Sequence, residues 1–101
     1  MSTSAAKTDV KVADLDLAIQ VKQSEITSIN QDQSRLRENM KALKGSTEEK
    51  ALVERYVREL NEQEDRVQSL RREISEMQQK RDAAQGTLNG MVAALTMDVT
   101  L

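Results

Sequence analysis

Two heptad runs of apolar residues face each other across the short stretch Lys44-Gly45-Ser46-Thr47, and this arrangement limits the folds open to the chain. Before the stretch, position a is held by Val12, Ile19, Ile26, Gln33 and Met40, and position d by Leu15, Lys22, Ile29, Leu36 and Leu43. After it, a is held by Val53, Leu60, Val67, Ile74, Arg81, Leu88 and Leu95, and d by Tyr56, Gln63, Leu70, Met77, Ala84 and Met91. A seven-residue repeat sustained this long marks helices packed knobs-into-holes with a gentle left-handed supercoil.

Folding the chain back at Gly45 places a residues of one helix in layers with d residues of the other. Pairs whose numbers sum to 96 meet this condition, from Leu43 with Val53 through Leu36 with Leu60 to Val12 with Ala84. One layer is informative. Gln33 falls opposite Gln63, and each is the uncharged polar residue of its own seam. An unpaired buried amide costs about 1–3 kcal/mol, so two facing glutamines are expected to satisfy each other and to penalise a slipped register.

The turn residues agree with a reversal. Gly45 suits the left-handed position that closes a helix, and Lys44 complements the negative helix end. Ser46 followed by Glu49 is a capping box for a second helix. The rival arrangement, one uninterrupted helix in a parallel dimer, leaves Gly45 and the cap residues without a purpose.

Composition narrows the class further. The chain has 101 residues, with Tyr56 its one aromatic and no Pro, which argues against a compact globular core. Charged residues make up 32%, both signs interleaved, with a net charge of −2, as expected of a solvated helix surface. No apolar run reaches the ~20 residues of a membrane span. Met1 to Ala6 lack the apolar stretch of a signal peptide. No compartment follows from the sequence.

The expected organisation is a flexible lead-in over 1–7, a helical hairpin over 8–96 and a tail over 97–101. Within the hairpin one helix covers 8–44, the turn 44–47 and the second helix 47–95, with Thr8 or Asp9 as the first N-cap. The helices would span roughly 55 and 70 Å at 1.5 Å per residue. Met97-Asp98-Val99-Thr100-Leu101 alternates in the strand-like period of two. Cross-helix pairs Arg37–Glu64 and Asp32–Arg66 are within reach. Five pairs along the second helix are spaced by four: Lys50–Glu54, Glu54–Arg58, Arg55–Glu59, Glu62–Arg66 and Glu76–Lys80. Tyr56 reads as packing rather than chemistry.

One end is dressed differently. Val10, Leu17 and Val21 lie off the seam at f and c positions. Ala83, Gly86, Gly90 and Ala93 form a small-residue stripe on c and f positions of the second helix. The plain readings are scattered surface residues and a weak helix end. The functional reading joins both sets into a candidate partner surface for a second hairpin or for a domain of a parent protein.

The stretches Asp32-Gln33-Ser34-Arg35-Leu36-Arg37-Glu38-Asn39, Arg55-Tyr56-Val57 and Leu60-Asn61-Glu62-Gln63-Glu64-Asp65 carry a resemblance. Through them, residues 31–101 resemble the C-terminal helical hairpin of bacterial mucoidy-inhibitor-A-like proteins, which carry a domain of unknown function ahead of it. The resemblance implies a C-terminal fragment of a larger protein and supplies no catalytic residues.

Much chemistry lacks its residue types. There is no Cys and no His, so nucleophile–base pairs and zinc sites have no ligands. Paired carboxylates need a cleft, which two helices do not form. The glycines, at 45, 86 and 90, make no phosphate loop. Arg71, Arg72, Lys80 and Arg81 are the densest basic group, yet Glu73 and Glu76 sit among them, against nucleic-acid binding. Lys22 and Arg81 interrupt the seam and read as snorkelling residues, Lys22 toward Glu25 or Glu73 and Arg81 toward Asp14 or Asp16; a polar contact to a partner is the other reading.

The sequence therefore predicts an all-α fold, a long antiparallel two-helix coiled-coil hairpin, with dimerisation to a four-helix bundle as an option. The function expected is non-enzymatic: a structural spacer or oligomerisation element without cofactor or metal. The alternative is a partner- or client-binding arm of the prefoldin-like kind. The expected partner is protein, either a second copy or an upstream domain, and not nucleic acid.

Overall fold

The computed structural model describes residues 2–100, and the side-chain surroundings of residues 6–96. It is an all-α helical hairpin. Helix α1 runs Ser2–Lys41 and helix α2 runs Thr47–Thr100. No strand occurs among the described residues.

Both helices are longer at their outer ends than the sequence suggests. The expected lead-in is helical from Ser2, because Ala5, Ala6 and Lys7 are good helix formers and nothing there breaks a helix. The expected tail stays in α2 through Thr100, so its alternating pattern is not a strand. Met1 and Leu101 lie outside the described residues. At the turn, α1 ends three residues before the expected Lys44. Its last turn tightens, with the Ala42 N–H donating to Asn39 O at 3.3 Å and the Leu43 N–H to Met40 O at 3.1 Å.

The chain divides into two compact units. The turn unit is Lys22–Arg72, and the distal unit joins Met1–Val21 to Glu73–Leu101. In the turn unit Leu36, Leu70 and Val67 are the most fully buried side chains, with Leu36 and Leu70 at 0% exposure. Val12, Ile19, Ile74 and Ala84 are the buried residues of the distal unit. All seven occupy a or d positions. Every a and d position from Val12 to Met91 is buried or half-buried, so the heptad periodicity is what each helix turns inward. The exception is Leu95, expected in the seam but 46% exposed.

Candidate functional site

The turn is fixed by a cap. Gly45 has φ +90°, the conformation its missing Cβ allows, and Thr47 opens α2 with Ser46 as N-cap. The Glu49 N–H donates to Ser46 Oγ at 3.2 Å, and the Lys50 N–H to Ser46 O at 2.8 Å. The Glu49 carboxylate reaches back past the N-cap to accept from the Lys44 N–H. That backbone bond, followed by the Ser46 contact, holds the Glu49 carboxyl below the usual carboxylate range. The box forms at the expected residues, but its returning arm closes the loop itself.

Gln33 is 5% exposed and Gln63 half-buried, as a polar layer in the seam requires. Their pairing differs from the expectation. Gln33 Nε2 donates to Glu64 Oε2 at 3.3 Å, and Gln63 Nε2 donates to Asp32 Oδ2. Each amide thus takes the carboxylate beside the opposite glutamine. Gln63 Oε1 is buried and accepts no hydrogen bond, which excludes the expected bond from Gln33 to it. The physical reason is charge. A carboxylate is a stronger acceptor than an amide oxygen, and both carboxylates flank the layer. Asp32 also accepts from Arg35 Nε at 2.8 Å. Arg35 first, and Gln63 second, hold the Asp32 carboxyl below its usual range, and the same contact pushes Arg35 up.

The remaining charges also choose partners that spacing alone does not specify. Arg66 was expected at Asp32; it grips Glu25 through Nε at 3.0 Å and an Nη at 3.1 Å, a two-pronged carboxylate contact. Asp32 is instead held by Arg35 and Gln63. Of the pairs spaced by four along α2, Arg55–Glu59 closes, at 3.4 Å. Lys41–Glu38, at 2.9 Å, was not among the pairs expected. Arg81 behaves as foreseen in part. Arg81 is half-buried, and its buried Nε lies 3.5 Å from Asp16 Oδ1 and 3.2 Å from the neighbouring Asp82, near enough for attraction yet out of line for a hydrogen bond. Lys22 is half-buried, as a seam lysine should be.

The candidate partner surface belongs wholly to the distal unit. Val10, Leu17 and Val21 are 59%, 61% and 61% exposed. Ala83, Gly86, Gly90 and Ala93 are exposed as well, and a Cβ added at Gly86 or Gly90 would meet nothing within 4 Å. The two sets do not make one surface. In a hairpin the c and f positions of each helix point away from the other helix, so the valine–leucine set and the glycine–alanine set lie on opposite outer faces. Sequence reasoning also missed Val92, 53% exposed, and placed Leu95 inside. By the same register the member of the Leu88 layer is Thr8, and that of the Leu95 layer is Met1, which lies outside the described residues.

Among the described residues, no group of His, Cys, Asp or Glu is arranged to hold a metal ion, and no helix is long and apolar enough to cross a membrane. No family model matches this chain, and neither a curated protein nor a solved structure does.

Proposed function

We propose that the chain is a non-enzymatic structural module, a coiled-coil spacer that also serves as an oligomerisation element. One observation carries the proposal. The large apolar side chains exposed outside a closed seam gather in the distal unit: Val10, Leu17, Val21, Val92 and Leu95. The turn unit contributes Val57 alone to that set, at 40%. Val10, Leu17 and Val21 share the outer side of α1, and Val92 and Leu95 are three residues apart on α2; exposed apolar residues that neighbour one another on a charged surface are candidate association sites. The carboxylates whose titration is displaced fit the same reading. Asp32 is held low by Arg35 and Gln63, and Glu49 by the Lys44 N–H and Ser46, which suits carboxylates fixed as hydrogen-bond acceptors and not the raised values that proton donation needs. By its likeness to the mucoidy-inhibitor-A-like hairpin, the module would follow an upstream domain in a parent protein.

Sedimentation equilibrium of the full chain across a wide concentration range tests the reading. The expected result is a mass that rises with concentration above the 11.4 kDa of one chain. A mass fixed at one chain throughout removes the oligomerisation role and leaves a partner-binding arm as the better description.

A further inference from the structure

One dipeptide near the end of α2 has a covalent chemistry of its own. The four asparagines, Asn30, Asn39, Asn61 and Asn89, are followed by Gln31, Met40, Glu62 and Gly90. The side-chain carbonyl carbon of an asparagine is open to attack by the backbone nitrogen of the next residue. A side chain on that next residue obstructs the approach, and glycine, without a Cβ, obstructs it least. Asn89 has such a neighbour and the other three do not.

The fold gives neither glycine of this segment a structural purpose. Gly86 and Gly90 lack the positive φ of Gly45, and an added Cβ would meet nothing within 4 Å at either position. Both nevertheless weaken the helix relative to alanine. While the helix is closed, Asn89 is protected. The Gly90 N–H is directed at the carbonyl of Gly86, and Gln85 Nε2 donates to Asn89 Oδ1 at 3.0 Å, on the side away from the Gly90 nitrogen. Reaction therefore needs the segment to open. Ala84 is the last buried residue of α2 among the described ones; from Gln85 to Thr96 every side chain is half-buried or exposed. Opening here breaks little apolar packing, and such openings lie at the low end of the local-stability scale.

We propose that Asn89–Gly90 is a self-modification site, at which the end of α2 opens and the asparagine deamidates through a cyclic imide. The Gly90 nitrogen bonds to Asn89 Cγ, and the Cγ–Nδ2 bond breaks. The amide nitrogen leaves as ammonia, taking up the proton that the Gly90 nitrogen gives to solvent. Water then opens the ring at either carbonyl, leaving aspartate or isoaspartate, and no other reactant is consumed. Either product places a carboxylate within residues 83–97, which otherwise carry no charge. In isoaspartate the main chain is also lengthened by a carbon, so the hydrogen-bond ladder of α2 loses its register there. The proposal stands apart from the assembly role, although Val92 and Leu95 lie beyond the break.

Incubation of the folded full chain at mildly alkaline pH, followed by trypsin digestion and mass spectrometry, tests it. Cleavage after Arg81 releases residues 82–101, whose one asparagine is Asn89. That peptide is expected to exchange its amide nitrogen for oxygen and to accept methyl groups from an isoaspartate-specific methyltransferase. Peptides holding Asn30, Asn39 and Asn61 are expected to stay unchanged over the same period. Gly90→Ala is expected to abolish the conversion. Gly86→Ala leaves the dipeptide intact but favours the closed helix, and is expected to slow conversion about fivefold. Conversion at Asn89 no faster than at the other asparagines, or equal rates in the parent and Gly86→Ala, overturns the proposal.

Discussion

The turn unit and the distal unit share one heptad pattern but are held differently. In the turn unit, apolar burial is complete at Leu36 and Leu70, and polar side chains cross between the helices at two levels: Gln33 to Glu64 with Gln63 to Asp32, and Arg66 to Glu25. The distal unit buries smaller or less complete layers, such as Val12 and Ala84, and its cross-helix ion pair, Arg81 with Asp16, is long at 3.5 Å. Its spare apolar surface faces outward. The same repeat therefore yields a specified half and an under-filled half. The difference lies in what accompanies the seam: carboxylates in reach of seam amides in the turn unit, and one long ion pair, Arg81 with Asp16, in the distal unit.

The largest expected contrast is in the cores. Leu36→Ala removes a fully buried side chain and is expected to cost about 2–5 kcal/mol in urea unfolding. Leu95→Ala, measured in dilute solution, is expected to stay within about 0.5 kcal/mol of the parent. Equal losses at the two positions would erase the distinction between the halves.

A smaller effect sharpens the account of the polar layer. A double-mutant cycle on Gln63→Ala and Asp32→Ala is expected to give a favourable coupling, since it removes a charge-assisted bond between the helices. The corresponding cycle on Gln33→Ala and Gln63→Ala should give less. If it gives more, the two amides interact with each other and the cross-pairing described here is wrong.

The smallest effect is acid sensitivity. The folded Asp32 carboxyl titrates below its unfolded value, so its contribution is present above the ordinary carboxylate range and is lost as pH falls through the depressed folded value. Glu49 behaves in the same direction. Unfolding midpoints followed from neutral pH into acid should fall, and Asp32→Asn should flatten the fall. A midpoint that rises on acidification would contradict the sign.

The seam, the reversal at Gly45 and the cap at Ser46 were legible in the sequence, because they depend on residue type and spacing alone. Leu95 shows where spacing misleads. A heptad position predicts a direction, but burial also needs a bulky neighbour in the facing helix, which spacing along one helix does not report. The amide partners were not legible for a different reason. Glutamine, glutamate and arginine have three or more rotatable bonds, so several acceptors lie within reach of each donor, and the choice is made by local charge. The helix ends differ from the expectation because Thr8, Asp9 and the alternating residues 97–100 carry only weak local preferences, which a long helix overrides.

The spacing across the turn has a consequence for exchange between molecules. From Leu43 at d to Val53 at a is ten residues, where an unbroken heptad helix would need eleven. If residues 42–46 straightened into helix, the two seams would be rotated by about 100° relative to each other. One continuous rod would then present its apolar stripe on two different sides. A neighbouring rod could follow it only by wrapping sharply at the midpoint. The missing residue thus works as a lock against strand-swapped dimers, so two copies that associate are expected to keep their hairpins closed.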